Sequence, residues 1–179
     1  MKNMVEDIYR ALDAKAYLSA LALSLTLPDV LAQIEYPELE GKGHVGQRYI
    51  RWIDEHYVTK PPSKEPDDAD LVGTPILNEL VSKFDGLFFF KLRCSFLHSG
   101  NNDISEAIDD LDFELSFEPT SATTVLTYEG VHLKHHTLSV PDFCMRICGI
   151  TECLLDKWKD NSEVQDRLEQ YCVRLRCFD

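Results

Sequence analysis

Hydrophobic residues recur at three- and four-residue steps over residues 4–27, which is the spacing of one face of an α-helix. The positions that form this stripe are Val5, Ile8, Tyr9, Leu12, Ala16, Ala20, Leu23 and Leu27. Pro28 then breaks or restarts the pattern, because proline lacks the N–H of a helix interior, and residues 28–35 can form a further short helix. The N-terminal part of the chain is therefore predicted to be helical.

A second apolar stripe predicts another helix further along the chain. It consists of Val45, Tyr49, Trp52, Ile53 and Tyr57. Arg48 and Arg51 lie between these positions and are expected on a solvated helix face. The proline-rich, charged residues 59–70 that follow predict a surface loop.

The next predicted helix begins at Thr74-Pro75, where Thr74 is a suitable N-cap and Pro75 a suitable first helical residue. Its pattern extends to His98, with Asp85-Gly86 as a candidate interruption. Gly100 follows in the sequence SGNN and is well placed for a left-handed C-terminal cap.

The period changes to two in residues 111–118, 123–129 and 131–140, where β-branched and aromatic residues are frequent. This pattern predicts two or three antiparallel strands. Ser139 and Pro141 then have the spacing of a helix start. Two more apolar stripes predict the last two helices. The first stripe is Phe143, Ile147, Ile150, Leu154 and Trp158, and the second is Val164, Leu168, Tyr171 and Leu175. The sequence therefore predicts one mainly α-helical domain over residues 1–179, with a small antiparallel β hairpin or three-stranded insertion before its last two helices.

Composition and charge restrict the classes of function. Hydrophobic residues make up 44% and charged residues 27%, as in globular proteins. The net charge of −13 argues against a broad phosphate-binding surface, so nucleic-acid chemistry would need a local pocket, a second subunit or a basic partner protein. The first residues lack the continuous apolar stretch of a signal peptide, and the most apolar run, residues 16–27, is shorter than the ~20 residues of a membrane helix. We expect a cytoplasmic protein that does not enter a membrane.

Neither the cysteines nor the histidine cluster predicts a metal site. None of the six cysteines forms a CxxC pair, so Cys144 and Cys148, which share a helix face, are expected to be reduced core residues. In the strand sequence HLKHH, His132 and His136 would lie roughly 13 Å apart, too far to share one ion. A modest basic strip that guides RNA or pairs with an acidic surface explains this cluster better. No Gly-rich phosphate loop is present, and no cofactor is predicted.

Arg93 is the main chemical feature, because it interrupts the apolar sequence FFFKLRCSFLH. At about 100° per residue, an ideal α-helix would place it in the centre of a hydrophobic face formed by Phe89, Phe90, Phe96 and Leu97. An unpaired guanidinium there would be very costly, so Arg93 must meet a carboxylate, a phosphate or a water-filled cleft. One alternative is a structural salt bridge to Asp29 or Asp54 on a neighbouring helix.

His98 lies in the last predicted turn of the same helix. The carbonyl end of the helix dipole favours the imidazolium there, and histidine is the side chain best suited to moving protons near neutral pH. The alternative is a surface histidine that only caps the helix end. Four polar side chains near it are candidates for orienting a substrate, although each could equally be solvated surface: Lys91, Ser95, Asn101 and Asn102.

The sequence RCSFLH, residues 93–98, resembles the RX4–6H motif of the HEPN superfamily, an α-helical group that contains many bacterial ribonucleases. The predicted helical bundle before it and the helix stop SGNN after it fit that group. The sequences ALALSLTLPD and KLRCSFLHSG are also similar to those of uncharacterised bacterial HEPN-type proteins. The resemblance implies a HEPN-like helical bundle.

The resemblance also implies an activity, which is metal-independent cleavage of RNA by a homodimer. Arg93 would neutralise the scissile phosphate, and His98 would act as a base on the ribose 2′-OH or as an acid on the leaving 5′-oxygen. The products would be a 2′,3′-cyclic phosphate and a 5′-hydroxyl, in a setting of bacterial defence or toxin-type stress control. Residues five apart lie about 140° apart around an α-helix, so a second subunit is expected to complete the site.

Two other hypotheses remain open. The first is a non-catalytic HEPN-like binding or regulatory module in a defence or toxin–antitoxin complex. It is favoured by the acidic composition and by Cys94, since many active members of the superfamily have Asn, Asp or His directly after the arginine. The second is an α-helical scaffold protein in which the arginine and histidine have this spacing by chance.

Overall fold

Helices form most of the structure, a computed structural model that describes residues 1–58, 84–103, 111–128 and 131–171. The α-helices are α1 (Lys2–Asp13), α2 (Tyr17–Glu35), α3 (Val45–Trp52), α4 (Gly86–Cys94), α5 (Val140–Trp158) and α6 (Ser162–Tyr171). Two short 3₁₀ helices connect α2 to α3, at Pro37–Leu39 and Lys42–His44, and π-helical turns extend α3 and α4, at Ile53–Tyr57 and Ser95–Ser99. The mainly helical character predicted from the sequence is confirmed.

The N-terminal helical region is divided at a different place from the one predicted. Residues 4–27 do not form one helix, because the chain turns after Asp13 and Lys15 adopts a left-handed conformation with φ 57°. Pro28 does not break α2, which continues through it to Glu35. Pro28 is buried in the core, so tertiary packing stabilises the helix despite the lost hydrogen bond.

Helix α2 is the centre of the core and packs against α1, α3, α4, α5 and α6. By length and composition it is the one helix in the described part of the chain that could cross a membrane, and half of its most apolar segment is buried inside this fold. The core helix of a soluble protein meets the same criteria. Buried residues of α2 and of the neighbouring helices form one hydrophobic core. It includes Leu21, Leu25 and Leu31 of α2 and Trp52, Phe89, Phe143 and Ile147 of the other helices.

Helix α4 begins at a close contact with α3. Asp85 is its N-cap and accepts a hydrogen bond from the backbone N–H of Phe88 at 3.0 Å. Asp54 accepts the N–H of Gly86 at 2.6 Å, so this carboxylate, one of two suggested partners for Arg93, holds the start of α4 instead. A Cβ added to Gly86 would lie 2.3 Å from the backbone oxygen of Ile50. Only glycine fits this contact.

Replacing Gly86 by alanine is therefore expected to lower the free energy of unfolding by more than about 2 kcal/mol, because backbone atoms of α3 would have to move. Gly149 in α5 is a matched control, since a Cβ there would meet nothing within 4 Å. Gly149→Ala should raise stability by about 0.5–1 kcal/mol through helix propensity. Urea unfolding measures both variants, and a loss at Gly86 no larger than about 0.5 kcal/mol would contradict the contact.

The sheet consists of β1 (Leu111–Ser116), β2 (Ala122–Tyr128) and β3 (Val131–Ser139), in the order β1-β3-β2. The antiparallel pairing of β2 with β3 confirms the predicted hairpin. The expectation that all strands are antiparallel is wrong for β1, which pairs with β3 in parallel. Alternation of side chains is the same in both directions, so it could not reveal this difference. Ser139 caps α5 as predicted, with its hydroxyl accepting the N–H of Asp142 at 3.1 Å.

The sheet packs against the start of α4, where the ring of Phe113 in β1 lies 5.2 Å from that of Phe88, and His136 beside it is only 8% exposed. Its ring lies 3.9 Å from that of Phe84, and its Nδ1 is 2.7 Å from the hydroxyl of Thr123. Burial, with a smaller contribution from His135, lowers the pKa of His136 to about 4. His135 instead makes a 2.9 Å contact with Asp112, which raises its pKa. A buried and a paired histidine do not form the predicted basic strip, and the side chain of His132 lies outside the described residues.

We expect stability to fall as the pH decreases from about 6.5 to about 4, since unfolded His136 binds a proton that the folded protein excludes. The contribution is up to about 3 kcal/mol. Replacing His136 by phenylalanine keeps a ring between its aromatic neighbours and should remove this part of the pH dependence. Urea unfolding at several pH values measures the slope, and His44→Gln at an exposed position is the control. An equal slope in wild type and His136→Phe would contradict the assignment.

Several predictions lie outside the described residues. These are the surface loop at 59–70, the helix start at Thr74-Pro75, and the positions of Cys172, Leu175 and Cys177. Within the described residues, Cys144 and Cys148 are buried free thiols as expected. Burial raises the pKa of Cys144 to about 11 and that of Cys148 to about 12, so both remain protonated at neutral pH.

Candidate functional site

Arg93 forms an ion pair with Asp29, one of the two carboxylates suggested from the sequence. One of its terminal nitrogens lies 3.1 Å from Oδ2 of Asp29, and the two side chains are 14% and 16% exposed. Asp29 lies one residue after Pro28 in α2, so the continuation of that helix through the proline brings its carboxylate to α4. Arg93 is largely buried, as predicted, and its guanidinium lies 5.7 Å from the ring centre of Tyr49 in α3, which was not among the hydrophobic neighbours predicted for it.

Asp29 is shared with a second arginine, Arg48 of α3. An Nη2–H of Arg48 donates to Oδ1 of Asp29 at 3.2 Å, so each carboxylate oxygen serves one guanidinium. The side chain of Arg48 is 6% exposed, and its expected place on a solvated helix face is wrong. Two cations that share one carboxylate leave a net positive charge in a protein whose total charge is −13. We call Asp29, Arg48 and Arg93 the arginine cluster.

The sequence itself contains a signal for the burial of Arg48. Arg48 lies three residues after Val45 and four before Trp52, so it borders the apolar stripe of α3. Trp52 is fully buried. A cation at such a border needs a partner, in the same way as Arg93.

His98 lies on the π-helical turn Ser95–Ser99, which directly continues α4. In a π-helix the hydrogen bonds run from i to i+5, so one turn holds more residues than the 3.6 of an α-helix. The roughly 140° separation in the ideal layout assumes 3.6 residues per turn, which does not hold through this π-helical turn. His98 therefore follows Arg93 on one continuous helical segment, and in the described residues the two side chains do not hydrogen-bond to each other.

The end of this helical segment is as predicted. Gly100 has the left-handed conformation, with φ 69° and ψ 20°, and its N–H donates to the carbonyl of Phe96 at 3.2 Å. His98 is exposed two residues earlier. The cap ends the helix where the imidazole reaches solvent, which is where a substrate could meet it.

Of the four predicted substrate-binding residues, Ser95 and Asn101 are hydrogen-bonded to each other, and Lys91 and Asn102 lie at separate positions. The hydroxyl of Ser95 donates to the side-chain oxygen of Asn101, which also accepts the N–H of Asp103 at 3.2 Å. This pair folds the segment after Gly100 back on the π-turn. Lys91 and Asn102 are both half-buried. The structure therefore joins Ser95 to Asn101 by a hydrogen bond and places Arg93 in the arginine cluster.

A groove of about 390 Å³ lies elsewhere, between α1 and α5. Tyr9 on one wall donates a hydrogen bond to Glu152 on the other at 3.3 Å, and Lys2 and Lys159 lie at its rim. None of the candidate site residues lines it. The groove is therefore separate from the site at α4.

No protein-family model, curated protein or solved structure matched this chain in the comparisons that we made. Its function is therefore inferred from its own residues and their geometry. Two features carry this inference. One is the arginine cluster, which has little exposure and a net positive charge. The other is the exposed His98, which follows Arg93 on the same helical segment.

Proposed function

We propose that the protein is a metal-independent endoribonuclease of HEPN type that acts in the cytoplasm as a homodimer through Arg93 and His98. The observation that supports this proposal most strongly is the exposed histidine on the π-helical turn that continues α4, the helix that carries Arg93 of the net positive cluster. Turns of this kind inside helices occur frequently at functional sites.

In this reaction Arg93 binds the scissile phosphate and stabilises the charge that develops on its oxygens. The ribose 2′-oxygen bonds to phosphorus while the bond from phosphorus to the 5′-oxygen breaks. A neutral imidazole takes the 2′-OH proton, and an imidazolium gives a proton to the 5′-oxygen. The two oxygens lie on opposite sides of phosphorus, so one imidazole does not reach both at once. A homodimer supplies a second His98 for this purpose.

The RNA would contact the protein over a small area, because the chain is acidic as a whole. Ser95 and Asn101 would offer hydrogen-bonding groups to the substrate, Lys91 would approach from α4, and Asn102 from the segment after Gly100. A basic protein could bind the acidic remainder of the surface and neutralise the enzyme. Such an arrangement suits bacterial defence or a toxin–antitoxin system.

A second candidate is the non-catalytic HEPN-like module, which binds or regulates a partner in a defence or toxin–antitoxin complex. The ion pair between Arg93 and Asp29 favours it, because a guanidinium already held by a carboxylate is a common structural device. In this case the arginine cluster only joins α2, α3 and α4.

Incubation of the purified protein with end-labelled RNA in EDTA tests the proposal. Cleavage that yields 2′,3′-cyclic phosphate and 5′-hydroxyl ends, and that is lost in Arg93→Ala and His98→Ala variants prepared in the same way, supports the ribonuclease. No cleavage of any RNA class by a folded protein would favour the binding module. Sedimentation of the free protein adds a second criterion, since a strict monomer contradicts a site shared between subunits.

A further inference from the structure

The arginine cluster is asymmetric in how its two guanidinium groups are held. Arg48 donates to Asp29, to the carbonyl of Gly41 at 3.1 Å and to the carbonyl of Leu39 at 3.4 Å. Arg93 donates a hydrogen bond to Asp29 alone among the described residues. Arg48 is therefore fixed to the segment between α2 and α3, whereas Arg93 is held by one bond and is more exposed.

The chain is folded so that Arg48 has these acceptors. Gly41 has φ 108°, a conformation that favours glycine, and it follows the 3₁₀ turn Pro37–Leu39. The backbone there points two carbonyls at a side chain that is nine-tenths buried. This arrangement holds the Arg48 guanidinium against Asp29 independently of Arg93.

We propose that Arg48 is a positioning residue of the ribonuclease site: it keeps Asp29 neutralised while Arg93 leaves that carboxylate to bind an RNA phosphate. This inference rests on the proposed function. A carboxylate left without a partner at this depth would be strongly unfavourable, and it would draw Arg93 back. Because each oxygen of Asp29 has its own arginine, the exchange leaves one ion pair intact.

The present arrangement also leaves donors without acceptors. The Nε atoms of Arg48 and Arg93 are buried and have no hydrogen-bond partner among the described residues. A phosphate offers several acceptor oxygens, and a guanidinium that turns toward it can donate two parallel bonds. Arg93 would thus gain bonds by exchanging Asp29 for phosphate.

Full-length wild-type protein, Arg48→Gln and the double variant Asp29→Asn/Arg48→Gln test the inference. Initial rates of cleavage as a function of RNA concentration give kcat and KM, and thermal unfolding monitors the fold. Without Arg48 the Asp29 carboxylate should retain Arg93, so KM should rise at least about tenfold. Removing the carboxylate as well should release Arg93 and return KM to within about threefold of wild type. Arg51→Gln, on the same helix but at an exposed ion pair, is the control and should leave KM unchanged.

The outcomes separate this inference from the proposed function. Wild-type protein that does not cleave RNA overturns the proposed function and the inference with it. Wild-type cleavage with an unchanged KM in Arg48→Gln overturns the inference alone, as does a double variant whose KM is no lower than that of Arg48→Gln. If Arg48→Gln does not fold, the double variant decides, because it buries no unpaired carboxylate. A KM within about threefold of wild type then supports the inference, and a tenfold higher KM overturns it.

Discussion

Replacing Asp29 by alanine is expected to lower the free energy of unfolding by about 3–5 kcal/mol, since two arginines with little exposure would lose their shared carboxylate. Arg48 and Arg93 would then repel each other at a site where α2, α3 and α4 meet. Because their side chains are only 6% and 14% exposed, water would replace the lost ion pairs only in part.

Urea unfolding at neutral pH measures this loss, and Glu38→Ala is its matched control. Glu38 also pairs with an arginine, Arg51, at 2.8 Å, but the two side chains are 57% and 45% exposed. An exposed pair of this kind contributes no more than about 1 kcal/mol. If the two variants were equally stable, Asp29 would not be the structural centre of the cluster, and its contacts would be those of an ordinary surface ion pair.

The partner of Arg93 could be narrowed to two acids from the sequence, because a buried guanidinium needs a carboxylate, a phosphate or water beside it. Arg93 was expected beside aromatic residues with Asp29 or Asp54 opposite, and the pair with Asp29 is confirmed. The sequence did not decide between the two acids, since both lie on helices and are spaced from apolar stripes in similar ways. Tertiary packing made the choice, because Asp54 is occupied by the N–H of Gly86.

The division of the N-terminal helices could not be predicted from periodicity. Leu12, Ala16 and Ala20 keep a four-residue spacing across the break between α1 and α2, so the apolar pattern is continuous where the helix is not. Pro28 gave the opposite signal, a break where the helix continues. Local preferences of one or two residues are outweighed when a helix is buried on several sides, as α2 is.

The π-turn could not be predicted from the sequence either. Residue types determine which positions of a helix face the core, but the change from i→i+4 to i→i+5 hydrogen bonds depends on how the helix end fits its neighbours. The ideal α-helical layout therefore did not include the π-turn on which His98 lies. A second subunit was expected from that layout and from the resemblance, and the proposed reaction also needs a base and an acid on opposite sides of phosphorus.

Replacing His98 by alanine is expected to lower kcat for RNA cleavage by about 10²–10⁴-fold, the usual effect of losing a general acid or base. The free energy of unfolding should change by less than about 0.5 kcal/mol, because the side chain is exposed. Cleavage rates at saturating RNA, together with urea unfolding, separate these two effects. His44→Ala removes another exposed histidine near a helix end and should leave both quantities unchanged.

The other histidines whose side chains are described are already engaged, which makes His98 the specific candidate. His56 lies 2.8 Å from a carboxylate oxygen of Glu35, and His136 is buried with its pKa lowered to about 4. His135 is paired with Asp112 on the sheet. Of the histidines whose side chains are described, only His98 is both exposed and on the helical segment of Arg93. Full cleavage by His98→Ala would therefore remove proton transfer by His98 from the proposed mechanism and contradict a ribonuclease site formed by Arg93 and His98.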